Sequence, residues 1–336
     1  MKLRAFFGLF GFVGCVGGVA LVGLVLGACN SGMTPQCTIG ADCASGACLG
    51  DGTCAPLPTK GPDSGGAVDS GGQPPSPDGS TARDGSADTA NPPPPPEDAG
   101  NCQADDSGMI TRSQVFLQPG LHATFRIADN VTVSTAGTTQ PDGSRTWDYS
   151  AGLTGDQDVI IQTLPVTGAW YAASYPGTGY ASSLSHTAPL LGIFTAGDTA
   201  LVLNGVVSET SGTTQTELGY NPPATTLAFP IAMGASWQST SNVTGTASGI
   251  PSVYTEEYQS KVDAHGSLVV PFGTFPVLRV ATLLTRTVGL YTTYTESFLF
   301  MTPCFGTVAS ITGASTQANP MMGEFTIVSE IQRLAP

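Results

Sequence analysis

Between residues 102 and 336, no window keeps an apolar stripe at helical spacing for three turns. Short runs rich in Val, Ile, Thr, Tyr and Phe recur instead, at 115–117, 121–127, 130–134, 145–149, 158–164, 169–174, 191–195, 200–207, 236–244, 253–262, 266–270, 277–288, 291–300, 306–311 and 324–334. Gly, Pro, Asn and Asp punctuate them, the signature of strands joined by turns. A segment of about 230 residues can bury one full core. The expected fold class is all-β: a curved antiparallel sheet, half-barrel or sandwich, over 102–336.

Side-chain alternation assigns faces to the last strands. Leu278, Val280, Leu284 and Val288 share one face, with Arg279, Thr285 and Thr287 opposite. Tyr294, Phe298 and Phe300 do the same on the next run, so Val288-Gly289-Leu290 reads as the turn of a long hairpin. Phe325, Ile327 and Ile331 are expected to face the core, opposite Glu324, Thr326 and Glu330.

The N-terminal third is built differently. Lys2 and Arg4 precede an uncharged apolar run that ends in Leu26-Gly27-Ala28-Cys29. A basic start, an apolar stretch and small residues ahead of a cysteine form the layout of an export signal. The last four residues resemble the lipobox of bacterial lipoproteins. That resemblance implies that residues 1–28 are removed and that Cys29 is lipidated as the new N-terminus. The run is also long enough for a transmembrane helix, which needs about 20 apolar residues, but no basic stop-transfer patch follows it. Asn30 stands where an Asp would favour inner-membrane retention, so an outer-membrane or cell-surface location is expected.

Of the eight cysteines, Cys15 would leave with the signal and Cys29 would carry the lipid, leaving an even number. Cys37, Cys43, Cys48 and Cys54 fall within 29–55, a module too small for a core and expected to be held by cross-links. Disulfides are expected in an exported protein, although four clustered thiols can also ligate zinc; sequence cannot choose among the pairings. This module resembles the short Cys-rich segments near the N-terminus of bacterial surface lipoproteins. Cys102 and Cys304 flank the large region and form a candidate pair that would pin its beginning to a late strand.

Residues 56–101 repeat Asp-Ser-Gly-Gly and Asp-Gly-Ser and contain Pro92 to Pro96. Such composition cannot offset the entropy of ordering and predicts a disordered linker. Its reach would be roughly 40 Å as a coil and at most ~145 Å extended. Its acids lack the spacing of a calcium loop.

The chain has 11 basic and 25 acidic residues, a formal charge of −14, and loses two cations with the signal. With no Lys/Arg cluster, that balance excludes nucleic acid as a partner.

Residues 220–334 contain Leu227-Ala228-Phe229-Pro230-Ile231, Gly234, Trp237, Val270-Pro271-Phe272-Gly273-Thr274-Phe275 and Phe305-Gly306-Thr307-Val308. The order resembles uncharacterised secreted bacterial proteins with open, curved half-barrels of lipoprotein-carrier type, which implies architecture and not activity. Pro271 and Gly273 should reverse the chain, Trp237 and Phe275 should anchor the core, and Gly306 should allow a bulge or close passage.

Catalytic motifs are missing. There is no Gly-x-Ser-x-Gly elbow, and His122, His186 and His265 sit in no metal-binding motif. Asp263 and His265 could share a face, but such a pair reads first as a surface hydrogen bond. Glu256 and Glu257 should point to opposite faces. The expectation is therefore a non-enzymatic, membrane-anchored module of the cell envelope without catalytic residues, metal or cofactor. Its partners would be the membrane, through the lipid, and an envelope protein or apolar ligand. An envelope carrier and a periplasmic hydrolase are the alternatives.

Overall fold

The computed structural model describes Cys102 and residues 107–177, 179–320 and 322–336. Cys29, Cys37, Cys43, Cys48 and Cys54, with the signal, Cys-rich module and linker, lie outside the described residues. What is described is all-β, as the run of strand signals predicts.

Sixteen strands are described: β1 (Met109–Ile110), β2 (His122–Thr132), β3 (Thr138–Thr139), β4 (Arg145–Asp148), β5 (Gln157–Leu164), β6 (Tyr180–Ser183), β7 (Leu190–Ala196), β8 (Ala200–Ser208), β9 (Glu217–Ala228), β10 (Ile231–Ala232), β11 (Ser236–Ala247), β12 (Ile250–Val270), β13 (Gly273–Val288), β14 (Tyr291–Thr302), β15 (Gly306–Gly313) and β16 (Ile327–Leu334). Twelve form an antiparallel up-and-down ring in the order β2, β5, β6, β7, β8, β9, β11, β12, β13, β14, β15, β16. The curved sheet goes all the way round, because the last strand pairs with the first: Ile331 lies opposite Ala128 and Leu334 opposite Phe125. Closure removes the unpaired edges that a half-barrel would expose.

Tight turns set the register. Ser248 and Gly249, both at positive φ, join β11 to β12, the pattern of a two-residue hairpin turn whose twist matches the strands. Gly289-Leu290 joins β13 to β14. Pro271-Phe272 joins β12 to β13, and Gly273 is already paired with Val270, so the reversal falls one residue earlier than the sequence suggests. On the far half of β12, β4 docks in parallel. Gly266 makes this possible, since a Cβ there would collide with the Arg145 carbonyl.

Two expected strands are absent. Residues 112–114 form a 3-10 turn closed by Thr111 and Gln114, leaving Val115 buried but unpaired with any strand. Residues 172–174 form another, with Tyr171 packed beneath and Trp170 Nε1 donating to the Ser208 carbonyl. An apolar run of this length reports burial, not conformation. Conversely, β9 carries Pro222 and Pro223 at its centre, and its pairing with β8 is interrupted there, where a missing N–H costs no ladder bond.

Both faces of β13 are covered. Leu278 and Val280 join Tyr180, Leu201, Val262 and Met301 in one cluster, and Leu284 joins Leu203, Leu218, Tyr220, Val243 and Tyr258 in another. These clusters unite strands far apart round the ring and so lie inside it. The opposite face, that of Arg279, carries Phe275, Val277 and Ala281 under Trp147 and Tyr149. The last strand departs further from its expected alternation. Ile327 is exposed and Glu330 buried, because a register shift near Ser329 exchanges the two faces.

Inside the ring, Glu256 is fully buried and accepts hydrogen bonds from Arg286 Nε at 2.7 Å and the Tyr258 hydroxyl at 2.6 Å. Burial works against the Arg286 cation, but Glu256 more than compensates and its pKa is raised. Arg286→Met is expected to destabilise the fold by about 3–5 kcal/mol in urea unfolding, because it strands a buried carboxylate. A loss below about 1 kcal/mol would show the pair to be dispensable.

Cys102 and Cys304 are bonded to each other, 202 residues apart in sequence. Cys304 N–H also donates to the Gln114 carbonyl. Replacing both cysteines with serine is expected to lower the unfolding free energy measured in urea, by up to ~5 kcal/mol in the loop-entropy description.

Candidate functional site

Three places concentrate chemistry. The first lies where Arg279 of β13 is buried, 1% exposed, on the covered outer face. Its guanidinium sits 4.1 Å from the Phe298 ring centroid and 5.5 Å from that of Trp147. It donates to both Asp263 oxygens at 3.0 and 2.7 Å, to both Glu324 oxygens at 3.0 and 2.8 Å, and to the Thr135 carbonyl. Glu324 also receives Arg145 and the Thr135 hydroxyl. Burial alone would raise the Glu324 carboxyl, but Arg279, Arg145 and Thr135 outweigh it and hold it at about 2.

Beside this knot is a cleft of about 200 Å³ lined by Lys261, Asp263, Thr282 and Glu296. Burial pushes the Glu296 carboxyl up, against a hydrogen bond from the Gly323 amide. One raised and one lowered carboxyl could in principle divide acid and base roles. Here both oxygens of Glu324 and both of Asp263 already accept hydrogen bonds from Arg279. Asp263 pairs with Arg279 and not with His265.

The second place is the seam that closes the ring. Asp129 of β2 and Glu330 of β16 are directly opposite each other. His186, from the β6–β7 connection, inserts between them with its side chain 5% exposed; Nδ1 is 3.0 Å from Glu330 and Nε2 3.0 Å from Asp129. Gln332 holds the other Glu330 oxygen. A depression of about 340 Å³ lined by Gln162, Ser183, Ser185, His186, Thr187 and Glu209 adjoins His186. Sequence reasoning missed this cluster: His186 stands 144 residues from Glu330, and only the register of β2 on β16 brings the acids together.

The third is one pole of the barrel. The β11–β12 and β13–β14 turns lie side by side, because Thr255 of β12 pairs with Thr287 of β13. They present Leu290 (99% exposed), Val253 (72%) and Tyr291 (63%), with Ile250 also exposed. No charged residue occurs at 242–255 or 287–295. The disulfide sits at the other pole, since β14 runs from Tyr291 at the tip to Thr302 beside Cys304.

Of the residues singled out from sequence, Phe275 is buried as expected, and Trp237 packs against the inner cluster half-buried. Glu256 and Glu257 do face opposite ways: Glu257 accepts from Gln238 and Gln259 on the outside. The chain matches no protein-family model, no curated protein and no solved structure.

The sign of the Glu324 contribution is fixed by its lowered pKa. Its stabilisation is complete above its ordinary value of 4.5 and disappears as pH falls toward about 2. Glu324→Gln is expected to flatten the acid limb of stability over that window, measured as urea midpoint against pH. An unchanged acid limb would mean that other carboxylates carry it.

Proposed function

We propose that this chain is an exported, lipid-anchored and non-catalytic binding module of the cell envelope, moored through Cys29 at the outer membrane or cell surface. In this reading it docks a protein partner with the uncharged apolar tips of its β11–β12 and β13–β14 turns. The observation that carries the reading is the opposition of the two poles. The linker would join at the Cys102–Cys304 end, and the exposed Leu290, Tyr291, Ile250 and Val253 lie at the other. A tether at one end leaves the opposite end free for a partner.

Other features support it. A cross-link between distant cysteines suits an oxidising compartment. The exposed outward positions of β11, Gln238, Thr240, Asn242 and Thr244, are polar. They do not make the apolar band that a membrane-spanning barrel turns to lipid, so the membrane would be reached through the lipid alone. The ring's inner faces are filled by packed side chains and by the Glu256–Arg286 pair, which favours an external binding surface over an internal apolar carrier site.

The test combines labelled palmitate with a photo-crosslinking residue at Leu290 of the full chain in intact cells. Label at a mature Cys29 terminus is expected, together with one discrete protein adduct that Val253→Asp abolishes. An unlabelled chain retaining Met1 overturns the anchor. Adducts only with lipid, or adducts indifferent to Val253→Asp, overturn the docking pole.

A further inference from the structure

The closing seam poses an electrostatic problem. Asp129 and Glu330 are cross-strand partners, and like charges directly opposite one another destabilise a sheet. They also hold the two ends of the meander together, so they cannot simply move apart. Something positive must sit between them.

His186 occupies that place, and its geometry is unequal on the two sides. Nδ1 makes a hydrogen-bonding contact with Glu330 Oε2 at 3.0 Å. Glu330 is itself fixed by Gln332, which donates to its other oxygen at 2.7 Å. This is the arrangement in which a carboxylate orients an imidazole and directs the lone pair of the opposite nitrogen outward. That opposite nitrogen, Nε2, is buried and has no hydrogen bond of acceptable geometry, although Asp129 Oδ2 lies 3.0 Å away. A lone pair facing a carboxylate is repulsive unless a cation lies between them.

We propose that Asp129 and His186 bind a first-row divalent metal ion of the zinc class, with Glu330 as the residue that positions the imidazole. The ligand atoms of all three residues fall within 4.8 Å of one another. Two donors each about 2.1 Å from a tetrahedral metal stand about 3.4 Å apart, within a few tenths of an ångström of the 3.0 Å found between Nε2 and Oδ2. One imidazole and one carboxylate form a borderline donor set, better suited to zinc, nickel or cobalt than to calcium or magnesium. Asp129 remains partly exposed, so the ion has a route in, and water completes its coordination. The site would clasp the β6–β7 connection onto the β2–β16 seam. It requires neither the lipid anchor nor the docking pole.

The test is equilibrium dialysis and thermal unfolding of the full oxidised chain with zinc, followed by the cobalt(II) absorption spectrum. One equivalent bound with a raised Tm is expected, and a cobalt spectrum without a thiolate charge-transfer band, which separates this site from the cysteines at 37–54. Asp129→Asn and His186→Gln are expected to abolish that equivalent. Glu330→Gln should weaken it about 10–100-fold. Asp129 is partly exposed, so its variant keeps the test valid if His186→Gln fails to fold. Zinc binding and a Tm shift that survive Asp129→Asn overturn the proposal. So does the absence of zinc binding to the native chain.

Discussion

Everything else in this barrel depends on the pairing of β2 with β16. In an up-and-down ring each hairpin is local, and only the first and last strands must find each other across the length of the domain. That pairing carries a like-charged couple on each face. Asp129 lies opposite Glu330, and Arg126 lies opposite Arg333; three residues separate the couples along each strand, so they point to opposite sides. Neither couple is neutralised within the seam. Arg126 is met by Asp158 of β5 and Arg333 by Asp156 just before β5, while His186 of the β6–β7 connection lies between the two acids. The ring can therefore close favourably only when the neighbouring segments are already in place. The seam is made conditional on its surroundings.

The same device recurs at the other buried arginines. Arg333 is fully buried and donates to the Tyr149 and Ala151 carbonyls as well as to Asp156. Burial lowers its pKa, but the surrounding acceptors keep the guanidinium paired. Arg279 joins β12, β13 and the segment before β16, and Arg286 joins β12 to β13 inside the ring. A buried ion pair adds little net stability over apolar packing, yet breaking one is costly. These pairs therefore act chiefly against misregistered closures, in which a guanidinium would be left without its carboxylate.

How much of this could be read from the residues follows from range. Alternation over 277–300 identified β13, β14 and their turn, because a two-residue hairpin is a local event. Composition gave the all-β class, and the even number of cysteines expected after lipidation made Cys102 and Cys304 a candidate pair, which the structure bonds. What escaped were consequences of register between distant strands. The burial of Glu330 depends on a bulge near Ser329, and the burial of Arg279 depends on β4 docking beside Gly266. The proline pair hid β9 because its exemption from ladder bonding exists only in the assembled sheet. His186 showed no metal spacing in the chain, since its neighbours arrive from the two ends of the ring.

The distribution of charge sets the tips of β11–β12 and β13–β14 apart from the rest of the surface. A formal charge of −14 surrounds the molecule with a field that holds acidic surfaces at a distance. At the tips of β11–β12 and β13–β14 the local charge falls to zero and the apolar side chains project furthest. Close approach is thus least opposed where apolar area is available to bury, and any surface that meets the barrel elsewhere must first displace water from hydroxyls and carboxylates.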